Sequence, residues 1–207
     1  IYLGYSSPKT QARTYLYNIK TKDKKLVKEQ EIPSGHNPED YIVERLECES
    51  HDGRMVPITI TRHKKTKVDG TAHLLLYGYG SYGNSMSPSF SSTRLSLINK
   101  DIIWATAHIR GGMEKGMKWW KEGKLLNKKN TFEDYIYAAK YLINNNYSSK
   151  GKLIGMGGSA GGLLMGAVVN QAPELFLGII MAVPFVDSLT TNLDHSLPLT
   201  VGEFDEF

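Results

Sequence analysis

The chain is poor in cysteine: Cys48 is the single thiol in 207 residues. An internal disulfide is therefore excluded, and with it a small stapled secreted fold. The composition fits a reducing compartment, and a cytoplasmic location is the expectation. Long apolar runs are also lacking. Nothing approaches the ~20 apolar residues that a membrane-spanning helix needs, so no membrane partner is expected. Strong charge of one sign is missing too: 25 Lys and Arg stand against 21 Asp and Glu, a net charge of +4. The excess gathers in Lys20–Lys28 and Arg62–Lys67 without interleaved aromatics. That pattern belongs to solvated lysine loops rather than to a nucleic-acid surface, and no nucleic-acid partner is expected. Internal repeats and low-complexity tracts are absent from the sequence. The chain opens on Ile1 inside an alternating pattern and closes on Gly202-Glu203-Phe204-Asp205-Glu206-Phe207 without a polar tail. The expectation is an interior piece of a longer protein.

What is present divides in two. In residues 1–32, Thr14–Ile19 and Leu26–Gln30 flank a polar Lys20–Lys25 turn and predict a hairpin. The breakers Ile32-Pro33-Ser34-Gly35-His36-Asn37-Pro38 mark a boundary, giving expected domains 1–35 and 36–207. After it, Tyr41–Glu49 and Arg54–Arg62 alternate on either side of Asp52-Gly53, a second hairpin. The character then changes to continuous apolar runs, as in strands buried on both faces: Ala72–Tyr77, Ile102–Ala107, Leu153–Met156 and Gly178–Val183. Phe132, Tyr135, Ile136, Ala139, Leu142 and Ile143 recur at helix spacing, with Asn130 or Thr131 as the expected cap and Glu133-Asp134 in the first turn. Ala160–Asn170 predicts a helix of small residues. Strand, helix, strand in alternation predicts an α/β fold, a mostly parallel sheet with helices on both faces.

Between the strand at Leu153 and the helix at Ala160 stands Gly157-Gly158-Ser159-Ala160-Gly161. A G-x-S-x-G turn between strand and helix presents a serine hydroxyl at the carboxyl edge of a sheet, where α/β folds bind ligands. Gly157 and Gly161 leave room for the turn, and the Ala160 N–H at the helix start is placed to donate to a developing oxyanion. No Lys-Ser/Thr follows the glycines, so a phosphate loop is not indicated; neither cofactor nor metal is expected. A nucleophilic serine needs a histidine base and an orienting acid. In this fold the order is serine, acid, histidine, yet only His195 follows Ser159, and it trails Asp187 by a short turn with no further strand to seat it. A Ser159–Asp187–His195 triad is therefore not expected. His36, His51, His63, His73 and His108 precede the serine and read as surface or packing residues.

These residues resemble the prolyl oligopeptidase family of serine peptidases, and within it the oligopeptidase B branch. The resemblance runs from about Tyr41 to Phe207 through Leu76–Gly83, Phe90-Ser91 with Arg94–Leu97, His108–Gly112, Lys129–Phe132, Gly157–Gly162, Val183–Asp187 and Pro198–Glu203. Residues 1 to about 32 resemble the end of the β-propeller that precedes the catalytic domain in this family. The resemblance implies a partial α/β-hydrolase fold, with Ser159 as nucleophile and the matching Asp and His beyond Phe207. It implies that the Tyr79 hydroxyl joins the Ala160 N–H in the oxyanion hole. It also implies that Glu203 and Asp205 anchor an arginine or lysine side chain of short peptide substrates, Asp205 standing where relatives carry glutamate. A pair of carboxylates two apart on an extended segment can both face a guanidinium. Ser87 and Ser89 replace acids that help relatives hold a second basic residue, which puts a paired-basic preference in doubt. Post-proline cleavage is the alternative, opposed by the cost of burying Glu203 in an apolar pocket; a non-catalytic binding protein on a hydrolase fold is another. The 207 residues alone are expected to be inactive, with an unneighboured last strand. The sequence leaves the oligomeric state open.

Overall fold

A computed structural model describes residues 1–198 and 200–207. Of the Pro198–Glu203 string, Leu199 and the side chains of Thr200 and Val201 lie outside the described residues. Two sheets are present among the described residues. The first joins β1 (Tyr2–Ser7), β2 (Thr10–Tyr17) and β3 (Lys24–Glu29), all antiparallel. The predicted hairpin is β2–β3. Its strands alternate, yet Tyr2, Tyr5, Leu16 and Leu26 are exposed, so three strands alone give this sheet no core of its own. A breaker-rich connection then leads past His36, whose Nε2 donates to the Lys9 carbonyl at 2.8 Å.

The second sheet runs in the order β4-β5-β7-β6-β8-β9. Here β4 (Tyr41–Glu49) and β5 (Met55–His63) form the second predicted hairpin, in register from Tyr41 opposite His63 to Glu49 opposite Met55. Then β7 (Ile103–Ala107), β6 (Leu74–Tyr77), β8 (Leu153–Gly158) and β9 (Phe176–Ala182) lie parallel to one another, and β5 meets β7 antiparallel. The apolar runs are thus the parallel strands, as expected of strands covered on both faces.

Period-two alternation explains the layers. Leu74 and Leu76 of β6 and Ile103 and Ala105 of β7 share one core with Tyr135, Ala139 and Leu142 of α3 (Lys129–Asn144) and Leu164 and Val168 of α4 (Ala160–Gln171). The intervening Trp104 packs with Leu95 and Ile98 of α1 (Ser92–Ile98), Tyr41 and Phe90 in a second cluster. Helices therefore cover both faces. Three short helices escaped the sequence reading: α1, α2 (Met117–Lys121) and α5 (Ser188–Leu193), each too brief to establish a period. The cap of α3 also differs from expectation. The helix begins at Lys129, so Asn130 and Thr131 lie inside its first turn. Their side chains bond instead to tertiary carbonyls: Asn130 Nδ2 to Glu122 at 2.9 Å, Thr131 Oγ1 to Arg110 at 2.9 Å and to Gly123 at 3.0 Å.

One turn on, Asp134 is fully buried beneath Arg110, which is only 1% exposed. Arg110 donates to Asp134 through Nε (2.9 Å) and Nη2 (2.6 Å), and to Asp52 through Nη1 (2.6 Å) and Nη2 (3.1 Å). Ser50 Oγ adds a bond to Asp134 Oδ1 at 2.6 Å. Burial works against the guanidinium charge, and the two carboxylates more than offset it, so its pKa is raised. Removing one partner of such a pair strands a buried charge. Asp134→Ala in the full-length protein is expected to cost about 3–5 kcal/mol, read as a shift in urea midpoint; an unchanged midpoint would contradict this account. Cys48 is buried, and burial pushes its thiol up to about 12, which makes it unreactive. Among the described residues no helix is long and apolar enough to cross a membrane.

Candidate active site

The strand order brings the ends of β6 and β8 side by side, with Tyr77 paired to Met156. Two residues past the first lies Tyr79, three past the second lies Ser159, so parallel neighbours deliver both to one edge of the sheet. Ser159 is exposed and sits at φ 54°, ψ −119° between β8 and α4. A serine with positive φ is a strained backbone, the geometry of a nucleophile elbow. The strain is held by hydrogen bonds: Ser159 N donates to the Ala182 carbonyl at 2.9 Å, and the Ser159 carbonyl accepts from Gly162 N (2.8 Å) and Phe185 N (2.9 Å). Gly157 is needed because the turn folds back on itself: a Cβ there would stand 2.2 Å from the Gly161 carbonyl oxygen. Ala160 is 1% exposed and is the first residue of α4, so its N–H has no helical carbonyl four residues back to bond.

Tyr79 is half-buried in the loop after β6, and its hydroxyl lies within electrostatic reach of Ser159. Burial, together with Tyr77 and Glu203 nearby, raises its pKa, so the phenol stays protonated and can donate. Tyr82 stands close by, with the two rings 6.2 Å apart. Although Tyr82 is 40% exposed, desolvation of its hydroxyl and the nearby Glu203 carboxylate hold its phenol above the ordinary range. Glu203 is half-buried, and its Oε2 is enclosed without a hydrogen-bond partner. An enclosed acceptor lacking a donor is costly, and a donor brought by a ligand would relieve it.

The acidic segment is not extended as expected. Residues Thr200–Asp205 form a 3-10 helix, whose three residues per turn align positions three apart. Glu203 therefore shares a side with Glu206, and Asp205 is exposed. The sequence reading missed Glu206, which is 3% exposed, and Lys128 beneath it. The signal was slight: one more acid in a string of acids. Asp187 spends its carboxylate capping α5, with Oδ1 accepting from Thr190 N at 3.0 Å, and His195 is exposed. That pair is not assembled with Ser159 into a triad. Of the earlier histidines, His108 is buried and tied to Thr59 (2.8 Å) and Glu114 (3.4 Å), a packing role as expected. Ser87 and Ser89 are exposed, and the Ser89 carbonyl accepts from Arg94 Nη1 at 3.0 Å.

The prolyl oligopeptidase family (peptidase S9) matches residues 88–207, more than half of the chain. The chain belongs to the prolyl oligopeptidase family. Among its relatives, dipeptidyl aminopeptidase BI of Pseudoxanthomonas mexicana is 47% identical over 205 residues, covering 99% of this chain and 28% of the relative. Protease 2 of Moraxella lacunata is 44% identical over 207 residues, 100% of this chain and 30% of that protein. The solved structure of oligopeptidase B from Leishmania major superposes with a TM-score of 0.92 at 41% identity, covering 100% of this chain and 29% of that one. This member of the family thus spans under a third of the length of each, and its second sheet is part of an α/β-hydrolase fold.

Proposed function

We propose that the protein containing this chain is a serine oligopeptidase that cleaves short peptides after arginine or lysine. Glu203 carries this reading: an enclosed carboxylate oxygen without a donor, within electrostatic reach of the tyrosine that stands by Ser159. A guanidinium or ammonium supplies the missing donor with a compensating charge. Asp205, exposed at the rim, adds a screened charge worth little by itself.

In this mechanism Ser159 Oγ attacks the carbonyl carbon after the basic residue, and a histidine takes the hydroxyl proton. The carbonyl oxygen becomes an oxyanion held by the Tyr79 hydroxyl and the Ala160 N–H, donors fixed before the reaction begins. Collapse expels the amine, protonated by the same histidine, and water then cleaves the acyl-enzyme. We place that histidine and its acid after Phe207, since His195 and Asp187 are not gathered at the serine and the relatives are more than three times longer. The three-stranded sheet of the 1–35 region fits the end of a β-propeller that restricts entry to short peptides. With serines at 87 and 89 and Arg94 beneath that loop, a second basic residue is not favoured.

The test compares arginyl, prolyl and phenylalanyl peptide amides on the full-length protein. The arginyl substrate is expected to lead in kcat/KM by at least about 100-fold, the scale set by leaving a buried charged group unpaired. A lead for the prolyl substrate would make the protein a post-proline peptidase. Absence of turnover with all three would favour a binding protein on a hydrolase fold.

A further inference from the structure

Beneath the Tyr79 loop lies a charged pair that the proposed chemistry leaves unused. The Lys128 side chain, at the entry to α3, is 11% exposed, that of Glu206 is 5% exposed, and Nζ stands 3.5 Å from Glu206 Oε1. The ammonium donates to the Gly80 carbonyl at 2.8 Å and to Ser81 Oγ at 2.6 Å. Gly111 approaches the same carbonyl so closely that a Cβ there would sit 1.9 Å from the Gly80 oxygen. The carbonyl directly after Tyr79 is thus held close to a backbone and an ammonium.

Glu206 is held through one carboxylate oxygen and its backbone, while its Oε1, like Glu203 Oε2, is enclosed without a hydrogen-bond partner. Its Oε2 accepts from Trp120 Nε1 at 2.9 Å, and its backbone carbonyl accepts from Leu125 N at 2.9 Å. Phe207 closes the assembly, with Lys128 Nζ 4.9 Å from its ring centre and Tyr82 against its face edge-on at 5.8 Å. Burying such a pair is expensive, and an apolar pair of similar volume would serve stability at least as well. Burial lowers the Lys128 ammonium to about 8 even though Glu206 opposes the shift. Stability alone therefore does not account for these two residues. Their position does: one end grips the loop of the oxyanion tyrosine, the other belongs to the turn of the substrate acid.

We infer that Lys128 and Glu206 form a positioning device that sets the Tyr79 hydroxyl against Ser159 and ties this donor to the segment carrying Glu203. The inference rests on the oxyanion role proposed for Tyr79. Glu203 and Glu206 share one side of the 3-10 turn, so a basic side chain that engages Glu203 also steadies Glu206 on Lys128, and through Gly80 it steadies Tyr79. Binding of the correct side chain then appears in kcat as well as in KM, because the donor it fixes acts on the transition state.

The test uses full-length enzyme and an arginyl peptide amide. Glu206→Gln and Lys128→Met are each expected to lower kcat by about 100-fold, the scale of a misplaced catalytic group, with KM little changed. Lys128→Arg, which keeps the charge and the donors, is expected to recover part of that loss. In Lys128→Met combined with Tyr79→Phe, kcat is expected to match Tyr79→Phe alone, because both changes remove the same interaction. Losses that multiply, or losses confined to KM, would overturn the device. If Tyr79→Phe lowers kcat and neither Glu206→Gln nor Lys128→Met does, the device fails and the oxyanion assignment stands. If Tyr79→Phe leaves kcat intact, the assignment and the device fall together. Should Lys128→Met not fold, Glu206→Gln, which keeps shape and hydrogen-bonding capacity, carries the same comparison.

Discussion

Ser159→Ala in the full-length enzyme is expected to lower kcat on an arginyl peptide amide by roughly a million-fold, the scale seen when a serine nucleophile of this kind is removed. The fold should be untouched. The side chain is exposed, and the hydrogen bonds that hold the elbow, to Ala182, Gly162 and Phe185, run through the backbone of residue 159. Alanine meets the same strain at φ 54° as serine does, so stability should change little. Labelling by a fluorophosphonate, which bonds covalently to an activated serine, should vanish in the same variant. Turnover retained by a correctly folded Ser159→Ala protein would remove the assignment outright. It would also leave the strained turn without a purpose, since such strain persists where the surroundings enforce it, most often at functional sites.

Glu203→Gln is expected to have the second largest effect, and a selective one. Glutamine keeps the shape and one acceptor oxygen but loses the charge that, in the proposed reading, would face a guanidinium. Truncating one side of a desolvated charge pair costs about 2–5 kcal/mol, so kcat/KM for the arginyl substrate should fall by at least about 30-fold. Most of the loss should lie in KM, because the side chain is gripped in the ground state and in the transition state alike. Prolyl and phenylalanyl substrates bring no charge and should be nearly unaffected. Equal losses for all three substrates would mean that Glu203 acts through the architecture of the 3-10 turn, not through the substrate. The turn itself should survive, because the Glu206 N–H and the Phe207 N–H bond to the Glu203 backbone carbonyl, which glutamine keeps.

These two results test residues of different legibility. Ser159 could be read from the sequence because everything that makes it reactive-looking is local: an apolar strand, two glycines and a helix within a few positions. The hairpin of β4 and β5 and the buried parallel strands were legible for the same reason, since period-two alternation, an Asp-Gly turn and apolar runs are properties of neighbouring residues. The short helices α1, α2 and α5 left no such trace. The cap expected at Asn130 or Thr131 was displaced because tertiary carbonyls of Arg110, Gly123 and Glu122 compete for those side chains, and sequence spacing carries no record of them.

The acidic end shows the limit more sharply. Glu203 and Asp205 would act together on an extended segment, whereas the 3-10 turn pairs Glu203 with Glu206 and leaves Asp205 in solvent. A change from two to three residues per repeat reassigns which acids share a face. Likewise nothing near Arg110 in the sequence points to Asp52 and Asp134, and nothing near Lys128 points to Gly80 or Glu206. Those partners meet only after the sheet has ordered its strands.

By itself, then, the sequence determined the α/β class, the strand-to-helix elbow and its serine, because each rests on interactions within one turn or one strand. The tertiary structure alone decided that Glu203 is enclosed while Asp205 is exposed, and that Lys128 and Glu206 meet against the loop of Tyr79. Those are contacts between residues far apart in the chain, and their geometry follows from the parallel pairing of β6 with β8 and from the pitch of a single helical turn.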